Sequence, residues 1–149
     1  MKTIVAAVDF SNATTGVLRM AASLATAYGA NLHLLHVVEP EPSYTAYGFT
    51  PDEFPALHAY QMEARRRAGE KLGTLLEDAK RNCATCVSEV VEGSPTHSIA
   101  EYVDKIGADL VVLGSHGHTA IGALLIGSVA EGFVRKAKVP TLVVPAPAE

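Results

Sequence analysis

A glycine-bearing segment in the second half of the chain offers its clearest chemistry. Gly114, Gly117 and Gly127 stand in the spacing G-x2-G-x9-G, and Ser128 follows directly, where a helix is predicted to begin. Glycine lets the backbone approach a ligand closely, and the free amides of a helix N-terminus favour an anion. The segment therefore predicts a phosphate site, in which the Ser128 hydroxyl donates to a phosphate oxygen or supports a metal ion. The alternative is that Ser128 only caps its helix.

Two common nucleotide motifs do not fit this segment. The P-loop, G-x4-G-K-[ST], needs a lysine, and the chain has no Lys or Arg between Lys105 and Arg135. The dinucleotide fingerprint, G-x-G-x-x-G, follows a first strand. Here the end of the first strand and the residues after it, Val8 to Asn12, contain no glycine. We therefore expect a phosphate site whose own loop carries no permanent positive charge.

Other candidate groups lie near predicted strand ends. Asp9 follows the first strand, where its carboxylate can accept hydrogen bonds from ribose hydroxyls or cap the first helix. His116 and His118 favour a phosphate contact over a metal site, because no third ligand can be identified. Cys83 and Cys86 have C-x-x-C spacing but no second ligand pair, and they lie at a strand entrance, which disfavours zinc and redox chemistry.

The elements that must position these residues alternate between short apolar runs and longer segments of helical period, which is typical of a βα repeat. Strands are predicted at 3–8, 31–38, 86–91, 108–114 and 140–144. Four helices are predicted. The first ends at Gly29, and the second runs from Thr50-Pro51-Asp52-Glu53 to about Lys80, with Arg65 to Arg67 on its solvated face. The third extends from Pro95 to Gly107, and the fourth follows Ser128. Right-handed crossovers of this length predict an α/β fold with one doubly wound, mostly parallel sheet of five strands.

Length and composition limit the classes of protein that this chain can be. Its 149 residues predict a single domain, 1–149, and a composition of 48% hydrophobic and 19% charged residues is ordinary for a globular protein. No apolar run approaches the roughly 20 residues that span a bilayer. A net charge of −4 disfavours nucleic acid and anionic membranes as partners. Two cysteines and no signal-peptide pattern lead us to expect a soluble, cytoplasmic protein.

Together these motifs resemble the universal stress protein family, in the branch with the nucleotide motif G-x2-G-x9-G-[ST]. The similarity covers nearly the whole chain, through Val5 to Ser11, Leu35 to Val38, Gly93 to Pro95, Leu110 to Gly117, Leu125 to Glu131 and Val139 to Val144. The resemblance implies a Rossmann-like adenine-nucleotide-binding fold with strand order 3-2-1-4-5. Periodicity alone could not select that order.

The resemblance also implies ATP as the ligand, with Mg²⁺ or Mn²⁺ where a metal accompanies it. Asp9 would contact the adenosine, the Val37 backbone would contact adenine, and the glycine loop with Gly127, Ser128 and Val129 would surround the phosphates. The implied contact residues are Ala7, Val8, Asp9, Val37, Leu113, Gly114, His116, Gly117, His118, Gly127, Ser128 and Val129. No catalytic residue and no protein ligand to a metal is assigned.

One departure from the family pattern affects the expected affinity. Many relatives have Arg where this chain has His118, followed by Thr-Gly where it has Thr119-Ala120. The loss of that charge weakens the phosphate end of the site, or makes binding pH-dependent if His118 becomes charged. Three or four hydrogen bonds to charged groups lead us to expect an affinity for ATP between micromolar and sub-millimolar. The resemblance further implies a homodimer through the edge strand Thr141 to Val144. The expected function is a dimeric, ATP-dependent regulatory or stress-response module with an unidentified protein partner. The alternatives are a slow ATP-hydrolysing enzyme and a structural dimer without nucleotide.

Overall fold

A computed structural model describes residues 1–40, 55–116 and 126–147 of the chain. The elements in order are β1 (Thr3–Ala7), α1 (Thr14–Tyr28), β2 (Asn31–Val38), α2 (Pro55–Lys80), β3 (Cys86–Glu92), α3 (Pro95–Ile106), β4 (Leu110–Gly114), α4 (Ser128–Lys136) and β5 (Thr141–Val144). This alternation of strands and helices confirms the predicted βα pattern. The predicted start of the second helix at Thr50 to Glu53, and the predicted contact residues Gly117 and His118, lie outside the described residues.

The five strands form one sheet in the order β3-β2-β1-β4-β5, and every neighbouring pair is parallel. The predicted α/β class and the strand order 3-2-1-4-5 are confirmed. The chain proceeds outward from β1 through β2 to β3, and then crosses to the other side of β1 for β4 and β5. The order therefore reverses between β1 and β4, and ligands bind such sheets at the carboxyl ends of the strands beside that point.

Two hydrophobic cores cover the two faces of the sheet, as a doubly wound fold requires. Ile4 and Ala6 point to the face where α1 and α2 pack, whereas Val5 between them points to α3 and α4. The same alternation separates Val112 from Val111 in β4. Because strand side chains alternate between faces, each central strand contributes to both cores. This double burial holds the carboxyl ends of β1 and β4 in fixed positions.

Strand ends differ from the predictions by one or two residues. β4 begins at Leu110 rather than at residue 108, because the Ala108 amide still donates to the Val103 carbonyl at the end of α3 (3.1 Å). β5 begins at Thr141 rather than at residue 140, because Pro140 has no N–H to donate to the ladder. β3 continues one residue further than predicted, to Glu92, and β1 ends one residue earlier, at Ala7.

β5 forms one edge of the sheet, and its side chains are only partly buried. The pairing of Thr141 to Val144 with a second copy of the chain stays a prediction. Across the described ranges, no helix combines the length and the apolar character that crossing a membrane would require.

Gly114, the last residue of β4, lies against the start of α1. A Cβ built on Gly114 would be 2.9 Å from the Cβ of Ala13 and 3.7 Å from Cγ2 of Val17. The Cβ of Ala13 cannot move without its backbone, so relief of this contact requires a shift of α1. We expect Gly114→Ala to lower the free energy of unfolding by about 1–3 kcal/mol, measured by urea denaturation.

Gly69→Ala is the matched control for Gly114→Ala. Gly69 lies inside α2, and a Cβ built on it meets nothing within 4 Å. Because alanine is the better helix former, this control should raise the free energy of unfolding by about 0.5–1 kcal/mol. If Gly114→Ala were as stable as the wild type, close packing would not be the reason for glycine at this position.

Candidate functional site

A cavity of about 550 Å³ opens at the carboxyl ends of β1, β2 and β4. Its volume is within the range of small-molecule sites, about 300–1,000 Å³. All predicted contact residues within the described ranges line it, namely Ala7, Val8, Asp9, Val37, Leu113, Gly114, His116, Gly127, Ser128 and Val129. The fold thus brings these residues together around one space, and their contact with a ligand stays a prediction.

The backbone of Val37 extends past the end of β1 at this cavity, because β2 is longer than β1. The Val8 amide donates to the Leu35 carbonyl at 2.9 Å, so the N–H and C=O of Leu35 face β1. Because backbone groups of every second residue in a strand point to the same neighbouring strand, the N–H and C=O of Val37 face the β1 side as well. The Val8 carbonyl, which would be the next acceptor, instead accepts a hydrogen bond from Nδ1 of His36 at 2.8 Å. Among the described residues, neither the N–H nor the C=O of Val37 has a hydrogen-bond partner. A donor and an acceptor are therefore left side by side.

Three helices begin at the cavity. Thr14, Pro95 and Ser128 are the first residues of α1, α3 and α4, and all three line it. In none of these three helices does the side chain of the N-cap residue accept a hydrogen bond from the first turn. At α1, however, the Ala13 and Thr14 amides already donate to the hydroxyl and the carbonyl of Ser11. First-turn amides have no acceptor within their own helix, and they carry the positive end of the helix dipole. The helix starts at the cavity therefore favour an anion, although the loop before α4 contributes no Lys or Arg.

Gly127 does not offer its amide to a ligand, although the sequence places it among the phosphate contacts. Its N–H donates to the Ser115 carbonyl at 2.5 Å, and its own carbonyl accepts from the Glu131 amide at 3.0 Å. Gly127 is the N-cap residue of α4, and Ser128 lies in the first turn, so the alternative that Ser128 is the cap is wrong. The amides of Ser128 and Val129 are the donors that the start of α4 leaves for an anion.

Asp9 lies beyond the end of β1, at the mouth of the cavity. Its Oδ1 accepts a hydrogen bond from the Ser11 amide at 3.0 Å. Ala13 occupies the N-cap position of α1, so the alternative that Asp9 caps this helix is wrong. Phe10 follows Asp9 with φ at 62°, a left-handed conformation that phenylalanine seldom adopts. Backbone strain of this kind often occurs where a binding loop must take a particular path.

The sequence analysis missed His36, which lines the cavity from β2. Its ring packs on the Phe10 ring with 4.3 Å between centroids. Burial is the largest cause that lowers the pKa of His36, so the ring is neutral at pH 7. Because Nδ1–H donates to the Val8 carbonyl, Nε2 is left as an acceptor. The period of two along β2 could have placed His36 and Val37 on opposite faces, but not the side-chain bond to Val8.

Two buried polar atoms at the cavity have no hydrogen-bond partner in the described part of the chain. They are Nε2 of His116 and Oγ1 of Thr14. Nδ1 of His116 is bonded to the Ser115 hydroxyl at 2.8 Å, so only Nε2 remains. Buried polar atoms are nearly always paired in folded proteins, by protein, water or ligand. Both atoms, like the Val37 backbone groups that have no partner in the described ranges, fit a polar ligand in this cavity.

The two cysteines lie in the core on the face of the sheet where α1 and α2 pack, and they do not line the cavity. Cys83 and Cys86 are free and buried. Burial raises the pKa of Cys86 to about 11, which suppresses the thiolate that redox or metal chemistry requires. Over residues 1–40, 55–116 and 126–147, no group of three or more His, Cys, Asp or Glu side chains comes together in a way that could hold a metal ion.

Comparisons with known proteins agree with this fold. The model of the family described as the universal stress protein family matches residues 1–145. The chain is 31% identical over 146 residues to universal stress protein A homolog 1 of Coxiella burnetii, across 96% of this chain and 95% of the relative. The universal stress protein UspA from Lactobacillus plantarum superposes with a TM-score of 0.83 at 26% identity, over 96% of this chain and 97% of that one. The universal stress protein from Archaeoglobus fulgidus in complex with dAMP superposes with a TM-score of 0.66 at 24% identity, over 97% of each chain.

Proposed function

The chain belongs to the universal stress protein family, and from this we propose that it is an adenine-nucleotide-binding protein, with ATP as its ligand, that acts through binding. The observation that carries the proposal is that the N–H and the C=O of Val37, at the cavity, have no hydrogen-bond partner among the residues that the structure describes. The family relative from Archaeoglobus fulgidus that was solved with dAMP supports it, since the same fold there holds an adenine nucleotide.

The Val37 backbone matches the edge of adenine. Adenine carries an acceptor, N1, beside a donor, the 6-amino group, and these complement an N–H and a C=O on one stretch of extended chain. Guanine carries N1–H and O6 in the same positions, so both partners would be mismatched. In this arrangement Asp9, at the mouth, accepts hydrogen bonds from the ribose hydroxyls.

The phosphates of ATP would bind at the start of α4. The Ser128 and Val129 amides and the Ser128 hydroxyl are donors at the positive end of a helix, which is a known environment for phosphate. Mg²⁺ or Mn²⁺ would enter on the phosphate oxygens of the nucleotide, because the described residues hold no cluster of three metal ligands. Occupancy of the cavity would then change the loops that a protein partner meets.

Selectivity among nucleoside triphosphates tests this proposal. By isothermal titration calorimetry we expect ATP to bind with a Kd between micromolar and sub-millimolar, and GTP to bind at least about tenfold more weakly. The reason is that guanine leaves the Val37 N–H and C=O without partners, and an unmet buried hydrogen bond costs about 1–3 kcal/mol.

ITP is the matched control, because it carries O6 and N1–H like GTP but lacks the 2-amino group that could simply collide with the cavity wall. ITP should therefore bind as weakly as GTP. Equal affinities for ATP, GTP and ITP would contradict adenine recognition by Val37. If millimolar ATP produced no heat and displaced no nucleotide, the proposed function itself would be wrong.

A further inference from the structure

One stripe of α2 faces the cavity and carries positive charge. Ala64, Arg67, Ala68 and Lys71 all line the cavity, and their spacing of three, one and three places them on one side of the helix. Leu72, on the adjacent side, is 1% exposed in the core beneath. The spacing of these four residues is visible in the sequence, but the sequence analysis assigned Arg65 to Arg67 to the solvated face of the helix. Only the packing of α2 on the sheet shows that part of this face meets the cavity.

Polar contacts hold α2 in this orientation. Gln61 and Arg65 both donate to the carboxylate of Glu92 at the end of β3, with 3.4 Å between Nη1 of Arg65 and Oε2 of Glu92. Nη2 of Arg65 also lies 3.4 Å from the Val90 carbonyl. These contacts join the helix to the carboxyl end of the sheet. The stripe from Ala64 to Lys71 is therefore held beside the strand ends where the cavity opens.

The two cations of the stripe differ in their partners. Nε of Arg67 lies 3.2 Å from Oε1 of Glu63, so its charge is partly compensated on the helix. Lys71 makes no ion pair with any residue in the described ranges, and its Nζ lies 5.5 Å from the centroid of the Phe10 ring. A cation near an aromatic face gains only a modest attraction at an exposed site. The ammonium group of Lys71 can therefore leave this ring for a ligand anion at small cost.

The structure thus offers a permanent cation that the glycine loop lacks. Carboxylates of Asp9 and Glu39 line the same cavity and would repel an anion, so a cation there matters for a charged ligand. We infer that Lys71 binds a phosphate group of the nucleotide and makes the cavity prefer nucleotides over nucleosides. This inference rests on the proposed function, and it assigns the recognition of the negatively charged phosphates to a side chain of α2.

Calorimetric titration of four proteins with three ligands tests the role of Lys71. The proteins are the wild type, Lys71→Gln, Lys71→Arg and Lys80→Gln, and the ligands are ATP, adenosine and inorganic tripolyphosphate. Lys80 is the matched control, because it lies on the same helix, pairs with Glu77 at 3.3 Å and does not line the cavity. Lys71→Gln should weaken ATP and tripolyphosphate by about tenfold, as the loss of one hydrogen bond to a charged group does. The affinity of Lys71→Gln for adenosine should stay within about twofold of the wild-type affinity. Lys71→Arg should restore most of the affinity for ATP. Lys80→Gln should bind all three ligands as the wild type does.

The outcomes separate this inference from the proposed function. Unchanged ATP affinity in Lys71→Gln, or an equal loss for ATP and adenosine, would overturn the role of Lys71 and keep the adenine site. A different result would overturn the adenine site and keep the role of Lys71. In that case Lys71→Gln would weaken tripolyphosphate, ATP would bind no more tightly than tripolyphosphate, and adenosine would not bind. If none of the three ligands bound to the wild type, both would be overturned.

Discussion

Ser128→Pro is expected to weaken ATP binding by about 100-fold while the protein stays folded. The substitution removes the Ser128 amide hydrogen and the Ser128 hydroxyl, both of which we place on the phosphates. Two hydrogen bonds to a charged group, at about 1.5 kcal/mol each, total about 3 kcal/mol, and each 1.4 kcal/mol is a factor of ten in Kd. Adenosine, which has no phosphate, should keep its affinity.

The fold should accept this proline, because Ser128 is the first residue of α4. Proline is favoured at that helical position, where the amide has no intrahelical acceptor. Gly127 before it has φ −65° and ψ 158°, an extended conformation that suits the residue preceding a proline. Thermal unfolding should therefore give a midpoint close to that of the wild type, and this measurement distinguishes lost binding from lost structure.

Ser128→Ala is the control that separates the two lost groups. It removes the hydroxyl alone and should weaken ATP by about tenfold, so the remaining tenfold of Ser128→Pro belongs to the amide. If the two variants bound ATP equally, the amide would have no part in phosphate binding. If Ser128→Pro bound ATP as the wild type does, the phosphates would lie somewhere other than the start of α4.

Gly93→Ala should have the largest effect on stability, a loss of about 3–4 kcal/mol in the free energy of unfolding. Gly93 has φ at 145°, a region that is essentially restricted to glycine, and such strain costs about 1–3 kcal/mol. A Cβ built there would also be 2.6 Å from Oγ of Ser98. The Gly93 amide donates to the Val38 carbonyl at 3.0 Å, so the backbone cannot rotate to relieve the strain without losing that bond.

Two further variants divide this loss into its causes, with urea denaturation as the measurement. The first is the double variant Gly93→Ala with Ser98→Ala, in which the collision is absent. In the Ser98→Ala background, Gly93→Ala should lower the free energy of unfolding by about 1–2 kcal/mol less than it does in the wild type. Gly107→Ala is the control for backbone strain, because Gly107 has φ at 65° and a Cβ there meets nothing within 4 Å. It should cost about 1 kcal/mol. Full stability of Gly93→Ala would contradict both causes.

Gly93 also connects stability to the site. It leads into Ser94 and α3, and Pro95 and Ile99 at the start of that helix line the cavity. A local rearrangement at Gly93 would therefore move one wall of the cavity. For this reason ATP affinity should be measured on variants at this position only where they remain folded.

Several features could be predicted from the sequence because their causes are local. Gly29 and Gly107 end α1 and α3 in the left-handed conformation, at φ 63° and 65°, as glycines after a helical stripe should. Pro95 begins α3 directly after Ser94, as the cap-then-proline pattern indicates. β2 has the predicted bounds from Asn31 to Val38 because its apolar run is flanked by residues that break a strand.

The site could be predicted only in part, because the state of each polar group depends on distant residues. The sequence places Gly127 among the phosphate contacts, but its amide is taken by the Ser115 carbonyl, twelve positions earlier in the chain. Similarly, nothing in the sequence around Val37 shows that the Val8 carbonyl, just beyond β1, accepts a hydrogen bond from the His36 side chain. Which donors stay free is decided by competition among groups that only the fold brings together.

By itself, the sequence determined the class of fold, most element bounds and a set of residues that meet at one crevice. It could do so because hydrophobic period, helix caps and glycine backbone preferences act over a few residues. The tertiary structure decided the rest. The packing of α2 on β2 and β3 brings Lys71 to the cavity. The early end of β1 leaves the Val37 backbone without a partner on the described part of that strand's continuation. Both follow from contacts between segments far apart in the chain, and no local pattern encodes the distances between such segments.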